Sequence, residues 1–179
     1  MNTPADKVKL IDKDVLQNLR SLLKKNGINT VILNTEKAVK DFINKNIPNE
    51  CIVGLGDSIT SCQLNIRQIL ASKGSKIFYS WDGSENYNRS LDTFDTPPRP
   101  DYYLSRINAV TSEGDIMMKD YSKQAAIDGL FPRHIFAFAG YNRYCDVFDN
   151  KDSIHKYTII NEKPLNAEFT LALLPFLNY

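Results

Sequence analysis

The chain has 179 residues, of which 42% are apolar and 24% charged. This is the length of one domain with an ordinary globular composition, so a globally disordered chain is excluded. Lys and Arg number 22 against 21 Asp and Glu, a formal charge of +1; a nucleic-acid protein is expected to carry a strong basic excess, and this chain does not.

Residues 1–9 are polar and expected to be flexible. Val15, Leu16, Leu19, Leu22 and Leu23 fall on one face of a helix, with Asp12 or Asp14 as its cap and Asn26-Gly27 as its stop. Residues 28–33 are a β-branched run that reads as a strand. Thr35 then caps a second helix with Ala38, Val39, Phe42 and Ile43 on one face, closed by Pro48. Residues 51–55 read as a buried strand running into Gly54-Leu55-Gly56-Asp57-Ser58-Ile59-Thr60. A third helix follows, with Ile59, Cys62, Ile66, Ile69 and Leu70 inward and Gly74 as its stop. Residues 76–79 are the next strand, and 82–100, polar and rich in proline, a helical turn and surface connection.

Residues 102–105 form a short buried strand. Residues 107–111 and 116–119 flank Ser112-Glu113-Gly114-Asp115, which punctuates a hairpin. Residues 121–130 are expected to be helical, 134–139 a central strand leading into Gly140-Tyr141-Asn142-Arg143, and 158–160 another strand. The last apolar segment, 166–177, fits helix or strand and is read as a helix, with 166–179 forming a C-terminal extension. Strands alternating with amphipathic helices imply parallel pairing with right-handed crossovers, hence a single α/β domain over 1–179 with helices on both sheet faces. Ligands of such sheets bind beyond the carboxyl ends of the strands, which directs attention to loops 54–60, 105–111 and 140–143.

Three cysteines, an odd number, cannot form a closed disulfide framework, and reduced thiols in a cytoplasmic protein are the simplest expectation. No signal peptide is apparent in the polar N-terminal residues. The longest apolar stretches, 135–139 and 171–177, fall far short of the roughly 20 residues that span a bilayer. Two histidines with no cysteine cluster build no zinc site, so neither a metal nor a membrane is expected.

The first loop carries the most chemistry. Gly54 and Gly56 allow a tight turn and are expected to expose amides beside a helix N-terminus, where an anion is favoured. The third glycine of a dinucleotide fingerprint and the lysine of a P-loop are both absent, so no cofactor is expected. Gly56-Asp57-Ser58-Ile59 also resembles the nucleophile block of GDSL-type esterases, with Gly140-Tyr141-Asn142 and Asp152-Ser153-Ile154-His155 as partial counterparts of that family's other blocks. Only nine residues separate Asn142 from Asp152, and two elements precede Ser58, which disfavours a serine hydrolase.

A second resemblance covers residues 10–160. Asp101-Tyr102-Tyr103-Leu104-Ser105-Arg106-Ile107-Asn108-Ala109-Val110-Thr111-Ser112-Glu113-Gly114 is similar to the signature of the LUD (lactate utilisation) domain family. So are the 54–60 loop, Gly129-Leu130-Phe131-Pro132 and Gly140-Tyr141-Asn142-Arg143, in the family's order. The resemblance implies a NagB/RpiA/CoA-transferase-like three-layer α/β/α fold with a mostly parallel sheet and a small β-hairpin. It also implies an association with oxidation of lactate to pyruvate beside iron–sulfur subunits. The chain departs from the family's pattern in having Asp57 where a glycine is usual, and Asp120-Tyr121-Ser122-Lys123-Gln124 where an arginine-ending glycine block is usual. It also lacks a cysteine-rich insert after the Asn142 segment.

The expected partner is a small carboxylate or phosphate-bearing anion, held by Gly54, Gly56, Asp57, Ser58, Thr60, Arg106, Asn108, Lys123, Gly140, Asn142 and Arg143. A guanidinium grips such a group bidentately. No acid–base or nucleophile pair stands out, so no catalytic residue is assigned. A non-catalytic assembly subunit or ligand sensor is the alternative, and a homo-oligomer is left open.

Overall fold

The computed structural model describes residues 13–56, 64–79, 100–120, 132–145, 156–164 and 167–176. Helix α1 (Lys13–Lys25) carries its lysines Lys24 and Lys25 in the last turn, where the negative end of the helix dipole favours them. It closes on Gly27 at φ 74°, with Gly27 N–H donating to Lys24 O and Ile28 N–H reaching back to Leu23 O at 2.9 Å. That bond pattern needs a left-handed residue, which glycine supplies without a Cβ penalty. Strand β1 (Asn29–Ile32) follows. Helix α2 (Glu36–Asn46) starts as expected: Thr35 Oγ1 accepts from Ala38 N–H at 3.1 Å. Strand β2 (Ile52–Leu55), helix α3 (Ile66–Ser72) and strand β3 (Lys76–Tyr79) complete the first half.

The second half contributes β4 (Tyr102–Arg106), β5 (Ala109–Thr111), β6 (Ile116–Asp120), β7 (His134–Gly140), a 3-10 turn (Tyr141–Arg143), β8 (Tyr144–Cys145), β9 (Lys156–Ile160) and β10 (Glu168–Leu174). Six strands form one sheet in the order β1-β10-β7-β4-β2-β3, and every pairing in it is parallel. The remaining four form a second sheet, β8-β5-β6-β9.

Two apolar layers sandwich the main sheet. On one face Leu16, Leu19 and Leu23 of α1 pack with Val110, Ile116 and Ile160 of the second sheet against Ile135, Phe169 and Leu171. On the other, Val39 and Ile43 of α2 and Ile66 and Leu70 of α3 pack against Val53, Leu104 and Phe136. Gly114, at φ 88° in the β5–β6 turn, lets that turn lie on α1; a Cβ there would stand 3.1 Å from Leu22 Cδ2. Among the described residues no helix is long and apolar enough to cross a membrane.

Three expectations are corrected. The segment 166–177 is not a helix: Glu168–Leu174 is strand β10, paired with β1 on one side and β7 on the other. It is integral to the sheet rather than an extension of it. Phe169 to Leu174 are all buried because both faces of a parallel sheet are covered, so the run has no polar alternation to reveal a strand. Within the stretch expected as one helix from Ile59 onward, Asn65 is left-handed (φ 52°) and α3 starts at Ile66, while Ile59 and Cys62 lie outside the described residues. The expected hairpin of β5 and β6 forms, with Val110 opposite Ile116, but β8 and β9 extend it into a sheet of its own. The helix expected over 121–130 and, save for Pro100, the connection expected over 82–100 lie outside the described residues.

Candidate functional site

In a parallel sheet all carboxyl ends lie on one edge. β4 sits between β2 and β7, so the segments after these three strands begin side by side. The register makes this concrete: Leu55 lies opposite Leu104, and Arg106 opposite Phe138. The neighbouring strands β4 and β7 then leave the main sheet together. Ile107 N–H donates to Phe138 O at 3.0 Å, and a few residues on β5 and β8 pair in parallel, Val110 opposite Tyr144. The bend between the sheets therefore carries both Asn108 and the Tyr141–Arg143 turn.

Gly54 lies within β2, in register with Phe78 on one side and Tyr103 on the other. Gly56 follows the strand, and its N–H donates to Leu104 O at 2.8 Å. This corrects one expectation: the Gly56 amide continues the ladder and is not offered to a ligand. The glycine answers a different need. A Cβ on Gly56 would stand 2.9 Å from Ser105 Oγ, 3.1 Å from Tyr103 Oη and 3.3 Å from Ser105 Cβ, closer than such atoms pack. Gly56 thus makes room for two hydroxyl side chains of the adjacent strand. Asp57, Ser58, Thr60 and Lys123, all expected at the site, lie outside the described residues.

Arg106 is the last residue of β4, half-buried, and its side chain forms no ion pair or hydrogen bond with another described residue. Alternation along β4 places it on the same face as Leu104, the face of α2 and α3. Asn108 is half-buried between the two sheets, and its N–H donates to Met117 O at 2.8 Å. Gly140 is buried at the end of β7 opposite Leu174. Asn142 is exposed and Arg143 half-buried in the turn that follows. Beside Gly140 lies an apolar notch lined by Leu16, Leu19, Val110, Tyr144 and Pro175 among others, with space of about 10 Å³, enough for one water. The described parts of the three loops singled out in the sequence therefore lie at one edge, with Arg106 and Asn108 beside the ends of β2 and β7.

Sequence reasoning missed Tyr103 and Ser105. Tyr103 packs at 2% exposure, and its hydroxyl reaches the strand end beside Gly56. The available signal was the glycine itself, since a glycine at a strand terminus marks close approach of a neighbour as well as a turn.

A second polar cluster occupies the opposite edge of the sheet. The Tyr102 ring stacks on His134 at 4.7 Å, and Asp101 Oδ2 accepts from Ile52 N–H at 3.0 Å. Burial, then the nearby Cys51 and Asp101, push the Tyr102 phenol above the ordinary tyrosine value. The Cys51 thiol itself donates to Pro48 O at 3.3 Å. This edge is remote from the strand ends where the candidate loops gather.

These features define an α/β protein whose main sheet is parallel and has helices on both faces. The chain belongs to the LUD-domain family, whose model matches residues 16–170. The chain is also similar in structure to a DUF162 family protein from Deinococcus radiodurans, with a TM-score of 0.60 at 12% identity over 90% of this chain and 95% of that one. Ribose 5-phosphate isomerase from Plasmodium falciparum aligns with a TM-score of 0.45 at 8% identity over 62% of this chain and 52% of that one. No curated protein matches significantly.

Proposed function

We propose that this LUD-domain protein binds a small carboxylate or phosphate-bearing anion at the carboxyl edge of its main sheet, in or beside lactate oxidation. The observation that carries the reading is Arg106. The residue is half-buried at the end of β4, between the ends of β2 and β7, and its side chain is uncommitted to any described carboxylate. A partly desolvated cation is unfavourable without a counter-charge, and a planar carboxylate or phosphate matches its fork. Asn108 and Arg143 stand on the neighbouring segments that would complete the grip. The Gly56 amide itself is already used within the sheet. Family membership suggests iron–sulfur lactate-oxidising subunits as the class of protein partner. No residue is assigned a catalytic role.

Thermal melts with lactate, pyruvate, inorganic phosphate and a sugar phosphate test the reading. A ligand at 100 times its dissociation constant stabilises by about 2.7 kcal/mol, a readily measured shift. Arg106→Ala is expected to abolish the shift that the wild type shows. No shift with any of these anions overturns the proposal.

A further inference from the structure

β4 carries the chain out of the main sheet. Its last residue is Arg106, and β5 begins at Ala109 in the second sheet. The polar groups of a strand alternate in direction, so an acceptor on one side recurs two residues on. Leu104 O points toward β2 and accepts from Gly56 N–H at 2.8 Å. Arg106 O therefore points the same way, one rung past Gly56. There it accepts from a side chain of its own strand: Ser105 Oγ donates to it at 3.2 Å. The other end of the same peptide group is held from the opposite side, since Ile107 N–H donates to Phe138 O of β7 at 3.0 Å.

Ser105 is 8% exposed and lies opposite Ala137, on the face that β7 and β10 line with Ile135, Ala139, Phe169 and Leu171. An alanine would fill this place without an oxygen that is costly to bury. A serine has one proton to donate, and here it goes to Arg106 O. The bond pins the peptide that follows Arg106, and with it the rotation about the Arg106 Cα–C bond. Side-chain rotamers depend on the backbone angles beneath them, so a pinned backbone narrows the directions that the Arg106 side chain can take.

We infer that Ser105 is a positioning residue of the anion site. It lies on the α1 face and does not touch the ligand; it fixes the backbone from which Arg106 projects on the face of α2 and α3. This rests on the anion-binding reading above and names what holds its cation in place.

The test uses the difference between an oriented fork and a point charge. A guanidinium grips an anion through two bonds of fixed geometry, whereas a lysine ammonium on its flexible stem tolerates a shifted backbone. Isothermal titration of the full chain with the four anions of the thermal melts compares the wild type, Ser105→Ala, Arg106→Lys and the double variant. Ser105→Ala is expected to weaken binding about fivefold beside arginine, the scale of one hydrogen bond, and less than about twofold beside lysine. A purely structural role would change both backgrounds equally. Should Ser105→Ala fail to melt cooperatively, Ser105→Cys, similar in shape and a weaker donor, carries the same comparison. Should the lysine protein bind too weakly to titrate, nitrogen-15 relaxation of the Arg106 side chain decides: its mobility is expected to rise in Ser105→Ala, and an unchanged value overturns the inference. Equal losses in the two backgrounds, or no loss beside arginine, overturn the inference and leave anion binding standing. No binding of any of the four anions by the wild type overturns both.

Discussion

On β1 the Thr30 side chain is 9% exposed, and its Oγ1 has no hydrogen-bond partner among the described residues. A buried hydroxyl without a partner loses its water and gains nothing in exchange. Thr30→Val keeps the β-branched shape that suits a strand and removes the oxygen. We expect it to stabilise the chain by about 1 kcal/mol in urea unfolding. Gly56→Ala acts in the opposite direction. The new Cβ meets the short Ser105 side chain, which has no flexible end to swing away, and the cost expected for such overpacking is about 1–3 kcal/mol. Ser105→Ala removes the nearest atom, so the double variant should regain part of the loss; strict additivity in the double-mutant cycle would contradict this packing account. The sequence marks Gly56 as unusual and expects its amide to face an anion. For that amide the expectation goes astray, because one residue's local freedom is visible in a sequence while the bonding and side chains of the adjacent strand are not.

At the scale of elements, legibility follows from which faces are wet. α1 and α2 each have one solvated side, so their apolar stripes and the Thr35 cap are plain in the sequence. β10 has no wet side. Its run Phe169-Thr170-Leu171-Ala172-Leu173-Leu174 is buried throughout, and periodicity gives no choice between helix and strand. Asn65 illustrates another limit: a left-handed residue interrupts an otherwise continuous apolar stripe, and asparagine tolerates that conformation without announcing it. The placement of β10 has a direct consequence. It is the described partner of β1, and it also covers one side of β7. A chain ending at residue 166 would leave both strands with unpaired backbone groups and remove Phe169, Leu171 and Leu173 from the core. We expect that truncated chain to show no cooperative thermal transition by circular dichroism. A sharp transition would mean that the segment is an appendage after all.

The whole molecule separates its two sheet edges by character. The carboxyl edge gathers Arg106, Asn108 and the Tyr141–Arg143 turn, and strand alternation with helices made that edge predictable before any contact was known. The second sheet was legible only as its hairpin, because β8 and β9 pair with it from distant parts of the chain. The amino edge holds Asp101, Tyr102, His134 and Cys51, and it links local burial to the stability of the entire fold. Burial raises the Tyr102 phenol above its ordinary value near 10, and the Cys51 and Asp101 charges add to the shift. Below that ordinary value the phenol is protonated in folded and unfolded chains alike, so it contributes no pH dependence. As pH rises past it, the unfolded chain ionises first and binds fewer protons than the folded one. Stability must then fall, and it continues to fall until pH passes the raised folded value. Tyr102→Phe has no phenol to ionise and keeps the ring that stacks on His134 at 4.7 Å. Melting temperatures followed from pH 8 upward should therefore coincide in slope for the two proteins up to about pH 10 and diverge above it, the wild type declining more steeply. Parallel alkaline limbs would show that Tyr102 ionises as readily in the folded chain as in the unfolded one, and that the amino edge is not the dry surface its packing implies.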